Sequence, residues 1–204
     1  MPAMLIDLTD QKVFVLGAGV SGLAAARLLR HIGAIPIVVE DEDAARAKAS
    51  DIADSVLTMA EAEDALSEAA LVVTSPGIPL HHPFFTATTA ANVPVWGDVE
   101  LCWHVDKASL CGPSRVWLAV TGTNGKTTTV GMTTAICQQA GMSAVACGNI
   151  GYPIEEALLD PNHPDVLVCE LSSFQLHWAP SVKPLAGALL NIDEDHLDWH
   201  GSVE

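Results

Sequence analysis

The sequence predicts an α/β protein made of two parallel-sheet units, of which the second is incomplete. Three observations predict this fold class. Short apolar, β-branched runs alternate with helical segments along the chain. A glycine-rich loop follows the first of these runs, and a second glycine-containing loop follows a run that begins near residue 116. Strands that alternate with helices in this way form parallel sheets through right-handed crossover connections.

The first unit is predicted to contain five strands and five helices. The apolar, β-branched runs predict strands at residues 13–16, 35–39, 55–57, 71–74 and 93–96. The helical spacing of apolar residues predicts helices at 23–32, 44–50, 60–69, 83–91 and 98–105. In the first helix Ala25, Leu28, Leu29 and Ile32 share one face, and Gly33 provides a stop signal.

The second unit is predicted to begin at residue 115. Residues 106–114 contain Cys-Gly-Pro-Ser and no periodicity, which predicts a linker between domains at 1–114 and 115–204. Strands are predicted at 116–120, 144–147, 166–169 and 186–192, with one long helix at 127–140. A doubly wound domain normally contains more elements than these, so the second domain is expected to be only partly present.

The composition excludes several functional classes. The chain has 25 Asp and Glu against 9 Lys and Arg, a formal net charge of −16. This balance argues against a nucleic-acid surface and against charge-driven membrane binding. The five cysteines form no CxxC motif, and we interpret them as buried free thiols. No basic leader and no apolar run of about 20 residues is present, so a cytoplasmic protein without membrane insertion is expected.

The first glycine-rich motif is GAGVSG, at residues 17–22. It lies between a predicted strand and a predicted helix, where glycines permit a tight turn and the helix N-terminus can face a phosphate. This context predicts a Rossmann-like nucleotide site, with Gly19, Val20 and Ser21 in the loop and Glu40 at the end of the next strand. By itself the motif favours a dinucleotide with Glu40 on a ribose, and a turn without ligand is the alternative.

The second motif is TGTNGKTT, at residues 121–128, which also lies between a strand and a helix. It predicts a P-loop in which Lys126 reaches the β- and γ-phosphates of ATP and Thr127 offers its hydroxyl to Mg²⁺. Val120 occupies the position of the first glycine of the usual pattern, so the loop must open differently. The candidate ATP-binding residues are Gly122, Thr123, Asn124, Gly125, Lys126, Thr127 and Thr128.

Two further residues are candidate metal ligands. Glu170 ends a strand beside the P-loop, where a carboxylate can hold Mg²⁺; a solvated strand end is the alternative. His196 follows a strand in line with the nucleotide site, and a neutral imidazole can bind a metal. His196 and His200 share the i, i+4 spacing of zinc ligands, but HExxH and a clear third ligand are missing.

In combination, TGTNGKTT, GNIG, ELSSFQL and NIDEDHLDWHGS resemble the Mur ligases, the ATP-dependent amide-forming enzymes of peptidoglycan synthesis. ELSSFQL, GAGVSG and SPGI are most similar to the D-glutamate-adding branch of that family. The resemblance implies a ligase that joins D-glutamate to UDP-N-acetylmuramoyl-L-alanine through an acyl phosphate. Another Mur ligase, a folylpolyglutamate synthetase-like ligase, a non-catalytic nucleotide-binding module and a dinucleotide-dependent oxidoreductase are the alternatives. Family members have three domains, of which this chain matches the first and about half of the second, so the chain alone is expected to be inactive.

The resemblance also implies residue roles. It implies two Mg²⁺ ions, with Lys126 and His196 as catalytic residues. Separately, the protein is expected to be a monomer. Thr127 and Glu170 match ligands of the first ion, and His196 matches a ligand of the second. The substrate-contacting positions are matched by Gly19, Val20, Ser21, Glu40, Ser75, Pro76, Gly77, Asn149, Ser172, Gln175 and His196. The family's Thr and Arg beside the acidic position are replaced by residues 41–43, which are Asp-Glu-Asp, and Arg46 is the candidate substitute.

Overall fold

The computed structural model describes residues 7–195 and Trp199. The first unit is a five-stranded parallel sheet of order β3-β2-β1-β4-β5. Its strands are β1 Lys12–Leu16, β2 Ile35–Val39, β3 Ser55–Leu57, β4 Leu71–Thr74 and β5 Val95–Gly97. Its helices are α1 Val20–His31, α2 Asp43–Ala49, α3 Met59–Asp64, α4 Pro83–Ala90 and α5 Asp98–Lys107. The predicted α/β class with a Rossmann-like sheet is confirmed.

The central strand shows why both faces of this sheet carry helices. Residues 13–16 of β1 are all buried. Successive side chains of a strand point to opposite faces, and here Val13 and Val15 join one apolar cluster while Phe14 and Leu16 join another. A continuous apolar run of this kind is typical of a parallel strand that is covered on both sides.

The second unit is a four-stranded parallel sheet of order β7-β8-β6-β9. Its strands are β6 Val116–Thr121, β7 Ala144–Gly148, β8 Val166–Glu170 and β9 Ala186–Leu189. Its helices are α6 Lys126–Gln139, α7 Ile154–Leu159 and α8 Ser173–His177. The carboxyl ends of β6 and β8, which carry the P-loop and Glu170, are therefore neighbours at one edge of the sheet.

Several predicted boundaries differ from the observed ones. The helix predicted at 60–69 ends at Asp64 and continues as a 3₁₀ turn, and the strand predicted at 186–192 ends at Leu189. The short helices α7 and α8 were not predicted. The linker predicted at 106–114 begins later, because Asp106 and Lys107 still belong to α5. The domain division at 114/115 stays a prediction.

Asp106 accounts for the longer helix. Its carboxylate is fully buried and accepts hydrogen bonds from the backbone and the guanidinium of Arg115, both at 3.1 Å, and from the indole of Trp117 at 3.0 Å. A buried carboxylate is stable only when its oxygens are paired and hydrogen-bonded in this way. These contacts tie the end of α5 to the first strand of the second unit.

The two units pack through α1 and α5 on one side and α7 and α8 on the other. Arg27 of α1 forms an ion pair with Glu156 of α7. The amide of Gly97 donates to the carbonyl of Trp178, and a Cβ on Gly97 would lie 2.7 Å from the Trp178 side chain. One apolar cluster runs through both units. Within the part of the chain that the structure describes, no helix has the length and apolarity needed to cross a bilayer.

Candidate active site

The P-loop connects β6 to α6 and is shaped by two glycines with positive φ. Gly122 has φ 140° and Gly125, which precedes α6, has φ 86°. A Cβ on Gly122 would lie 3.0 Å from the carbonyl oxygen of Asn191, so the loop has no room for a side chain there. The first N–H groups of α6 thus face the loop's concave side without a side-chain cap, which suits a phosphate.

Lys126 lies over this loop. Its ammonium donates to the carbonyl oxygens of Gly122 at 2.6 Å and Thr123 at 3.1 Å. Both acceptors are neutral groups of the loop itself, so a phosphate oxygen can replace them as a stronger, charged partner. The position of Lys126 is the one expected of a lysine that reaches the distal phosphates of a nucleotide.

Thr127, Glu170 and Asn149 form a polar cluster beside the P-loop. The Thr127 hydroxyl donates to Glu170 Oε2 at 2.7 Å, and Asn149 Nδ2 donates to Glu170 Oε1 at 3.0 Å. The three residues follow or end β6, β8 and β7, which are adjacent strands. Glu170 is 3% exposed, so its carboxylate oxygens are satisfied by these two hydrogen bonds and not by bulk water. A carboxylate and a hydroxyl oxygen are donors that Mg²⁺ prefers, and the residues present therefore fit that ion.

His196, the second candidate metal ligand, lies outside the described residues. In the described ranges, 7–195 and Trp199, no group of three or more His, Cys, Asp or Glu side chains comes together to hold a metal. A magnesium ion that is shared with nucleotide phosphates needs only one or two protein ligands, so the Thr127–Glu170 pair suffices for one ion.

Asn191, the first residue of NIDEDHLDWHGS, contacts the P-loop, a role that was not predicted from the sequence. Its Oδ1 accepts from the Asn124 amide at 2.8 Å, and its Nδ2 donates to the Asn124 carbonyl at 3.0 Å. Its own carbonyl accepts from the Thr123 amide at 3.1 Å. The segment after β9 is therefore hydrogen-bonded to the P-loop at residues 123 and 124. The signal available in the sequence was an asparagine, with its donor and acceptor, just beyond a strand next to the loop.

The GAGVSG loop connects β1 to α1 and is the second concave site. Gly17 has φ 91°, and a Cβ on Gly22 would lie 2.0 Å from the Gly17 carbonyl oxygen. Both positions therefore require glycine. Val20 at the loop tip is 68% exposed, and Gly19, which precedes α1, gives no side-chain cap. The N–H groups at the start of α1 are left for an anionic group.

Two more segments with predicted substrate contacts lie against this loop. The Ser75 hydroxyl donates to the Leu16 carbonyl at 2.7 Å, which brings the turn at residues 75–77 next to Gly17. Glu40 Oε2 accepts from the Ala18 amide at 3.0 Å. The other oxygen, Oε1, accepts from the amides of residues 41 and 42 at 3.0 and 3.1 Å. The Glu40 carboxylate is thus hydrogen-bonded to the backbone of the loop and of residues 41 and 42. Most of its acceptor capacity is used within the protein.

Ser172 and Gln175 lie at the start of α8, directly after β8. They form a reciprocal capping box, in which the Ser172 hydroxyl accepts from the Gln175 amide at 3.2 Å and the Gln175 side chain accepts from the Ser172 amide at 3.1 Å. Gln175 also donates through Nε2 to Asp98 of the first unit at 3.2 Å. This bond connects the cluster around Glu170 with the region around the GAGVSG loop.

Two family models match the chain. The model described as "Mur ligase MurD-like, N-terminal domain" matches residues 11–97, and the model described as "Mur ligase middle domain" matches residues 120–204. UDP-N-acetylmuramoylalanine–D-glutamate ligases are similar over nearly the whole chain. The protein of Nocardia farcinica is 52% identical over 98% of this chain, and that of Mycolicibacterium vanbaalenii is 52% identical over 94%.

The match covers only part of these relatives. The chain spans 42% of the Nocardia farcinica ligase and 39% of the Mycolicibacterium vanbaalenii ligase. Among solved structures, UDP-N-acetylmuramate-alanine ligase MurC of Thermotoga maritima is 20% identical with a TM-score of 0.53, over 94% of this chain and 43% of that one. UDP-N-acetylmuramate:L-alanyl-gamma-D-glutamyl-meso-diaminopimelate ligase of Neisseria meningitides is 18% identical with a TM-score of 0.56, over 93% and 63%. At these identities the likeness shows the fold.

Proposed function

The chain belongs to the Mur ligase family, and on that premise we propose that it carries nucleotide sites of an ATP-dependent ligase that adds D-glutamate to UDP-N-acetylmuramoyl-L-alanine. One observation carries the proposal: Thr127 and Asn149 both bond to Glu170 beside a loop that holds Lys126. This arrangement suits the binding of a nucleoside triphosphate with Mg²⁺. The choice of D-glutamate is supported by the relatives named for that reaction.

The proposed reaction has two steps. The carboxylate of the muramoyl-alanine substrate attacks the γ-phosphate of ATP, which gives an acyl phosphate and ADP. The amine of D-glutamate then attacks the acyl carbon, an amide forms, and inorganic phosphate leaves with the former carboxylate oxygen. The first step brings two anionic groups together, which at about 4 Å costs roughly 4 kcal/mol per pair of unit charges at an effective dielectric near 20.

The residues of this chain reduce that repulsion locally. Lys126 supplies one positive charge at the phosphate loop, and the N-terminus of α6 supplies N–H donors. Thr127 and Glu170 would hold one Mg²⁺, which when bound would neutralise negative charge on the phosphates. His196 remains the proposed ligand of a second ion. Because the whole chain carries a net charge of −16, these local groups must outweigh the general field of the protein.

The GAGVSG loop is the proposed site for the UDP part of the substrate. Its free N–H groups at the start of α1 would receive the diphosphate, with Gly19, Val20 and Ser21 at the contact. The turn at residues 75–77 lies beside the same loop and would form another side of the proposed UDP site. We further propose a monomer in the cytoplasm, where the five free and buried cysteines would stay reduced.

Ligand binding tests the proposal without requiring turnover. Isothermal titration of this chain with UDP-N-acetylmuramoyl-L-alanine, Mg-ATP and NAD should give binding of the first two and none of the third. Lys126→Ala should weaken the binding of Mg-ATP at least tenfold and leave the affinity for the UDP-sugar unchanged, because the two sites use separate loops. Lys48→Ala, on exposed α2, is the matched control and should change neither affinity. NAD binding more tightly than the UDP-sugar would overturn the proposal in favour of an oxidoreductase.

A further inference from the structure

A buried carboxylate, Asp98, lies between the two candidate substrate-binding regions. It is the first residue of α5 and is 5% exposed. It accepts hydrogen bonds from Gln175 Nε2 at 3.2 Å and from the Val99 amide at 2.9 Å. Ser21 lines the same small cavity, and its hydroxyl lies close enough to lower the pKa of Asp98. Ser21 belongs to the GAGVSG loop of the first unit, and Gln175 belongs to α8 of the second. One carboxylate therefore lies between Ser21 of the first unit and Gln175 of the second.

We propose that Asp98 is a positioning residue that holds Ser21 and Gln175 in one fixed relation, so that a ligand spanning both units meets them together. The inference rests on the proposed function, since it assumes that the UDP-muramoyl substrate spans both units. Hydrogen bonds to an ionised acceptor are roughly twice as strong as neutral ones. A surface loop and a short helix that share such an acceptor lose much of their independent motion.

The contacts of Gln175 show what this positioning does. Its Oε1 already accepts from the amide and the hydroxyl of Ser172, at 3.1 and 3.3 Å. One of the two Nε2 hydrogens is directed at Asp98. The second Nε2 hydrogen is the one side-chain group left for a ligand, so Gln175 is presented as a donor. Asp98 thereby determines which end of the amide faces the proposed muramoyl site.

A second buried acid, Glu155 of α7, keeps Asp98 available as an acceptor. Both residues line a cavity of about 10 Å³, and Glu155 Oε1 has no hydrogen-bond partner. Burial and the charge of Asp98 raise the pKa of Glu155 well above its ordinary 4.5. The charge of Arg27 opposes this rise of the pKa only weakly, and Arg27 is paired with Glu156. Burial also raises the pKa of the nearby Cys102 thiol, which stays neutral.

The two acids therefore divide their roles. Burial raises the pKa of Asp98 as well, but hydrogen bonds from Gln175, Val99 and Ser21 oppose that shift. Glu155 receives only its own backbone N–H. Hydrogen bonds to the charged form favour it, so the pKa of Glu155 is raised more strongly than that of Asp98, and Asp98 is the better acceptor of the two.

The test compares two buried acids of the same helix. Asp98→Asn is matched with Glu100→Gln, since Glu100 is 1% exposed and also reaches the second unit, accepting from the Ser181 amide at 3.1 Å. Neither Glu100 nor Ser181 has a proposed substrate contact. The readouts are the Kd for UDP-N-acetylmuramoyl-L-alanine, the Kd for Mg-ATP and the melting temperature.

Both variants are expected to melt at a lower temperature. Only Asp98→Asn should weaken binding of the UDP-sugar, by at least about tenfold, which is the lower end of the range for losing a hydrogen bond to a charged group. Its Mg-ATP affinity should stay unchanged, which a general loss of structure would not allow. Equal UDP-sugar affinities of the two variants would overturn the positioning role. No binding of the UDP-sugar to the unmodified chain would instead overturn the proposed function, and the inference with it.

A double-mutant cycle keeps the inference falsifiable if Asp98→Asn does not fold. Ser21→Ala and Gln175→Met each remove one polar neighbour of Asp98 and leave the carboxylate in place. Because both side chains act through the same carboxylate, their effects on UDP-sugar affinity should be non-additive by threefold or more. Additive effects would show that the loop and α8 respond independently and would overturn the role of Asp98.

Discussion

The Thr127 hydroxyl and Glu170 Oε2 lie 2.7 Å apart, although the two residues are 43 positions apart in the chain. They meet because β6 and β8 are adjacent parallel strands and both end at the same edge of the sheet. Ligands of open α/β sheets bind at this edge. The pair thus brings the P-loop helix and a buried carboxylate to one candidate metal site.

Replacing this carboxylate should abolish the magnesium dependence of ATP binding. In Glu170→Gln the side chain keeps its shape and an acceptor for Asn149, but it loses the charge that would bind the ion. We expect Mg-ATP affinity to fall at least tenfold and the affinity for metal-free ATP to change little. Titrations with Mg²⁺ and with EDTA measure the difference. Glu63→Gln on exposed α3 is the control for loss of one negative charge. Equal loss with and without Mg²⁺ would contradict the metal role.

Asn191 should control the order of the P-loop. Asn191→Ala removes the two side-chain hydrogen bonds to Asn124 and leaves the backbone contact to Thr123. At about 1 kcal/mol for each of the two bonds, the expected effect is an ATP affinity that is weaker by up to roughly thirtyfold. Amide hydrogen exchange at residues 122–125 should become faster, which would separate loop order from direct contact. Asn191→Asp keeps the acceptor for the Asn124 amide but places a charged oxygen against the Asn124 carbonyl, so it should lose at least as much affinity. Unchanged exchange in Asn191→Ala would argue against the loop-holding role.

The buried ion pair between Asp106 and Arg115 should be the most sensitive polar contact between the two units. Asp106 is fully buried and Arg115 is 5% exposed. Asp106→Asn leaves the guanidinium without a charged partner, which is expected to lower the free energy of unfolding by about 3–5 kcal/mol. The same substitution in an exposed pair, Asp54→Asn opposite Arg30, should cost less than about 1 kcal/mol. Urea unfolding measures both values, and similar losses would disprove the dominant role of burial.

Glu155 should make stability depend on pH. Its pKa is raised in the folded protein, so the folded state holds a proton that the unfolded chain releases above pH 4.5. The protein should therefore lose stability as pH rises from 4.5 toward the folded pKa, by about 1.4 kcal/mol for each unit of the shift. Glu155→Gln mimics the protonated form and should flatten the curve. Melting temperatures across this range test the prediction, with Glu63→Gln as the exposed control. A parallel curve for Glu155→Gln would refute it.

Local pattern predicted much of the fold. The strands at residues 13–16, 35–39, 55–57 and 71–74 agree with the observed ones to within one residue, because a buried parallel strand is marked by a continuous β-branched run. The helices α7 and α8, of six and five residues, were missed. Helices this short are unstable alone and depend on the surfaces they pack against, so local sequence carries little signal for them.

The sequence by itself determined the two glycine-containing loops that we propose as phosphate sites, since their glycines and Lys126 act within a few residues of one another. It also determined that the loops end parallel strands, where such sites form. Only the tertiary structure decided that Asp98 receives Gln175 from 77 residues away and that Asn191 holds the P-loop from 67 residues away. The physical reason is that hydrogen bonds depend on atoms within about 3 Å, and the packing of α5 against α8 and of β9 beside β6 creates that proximity.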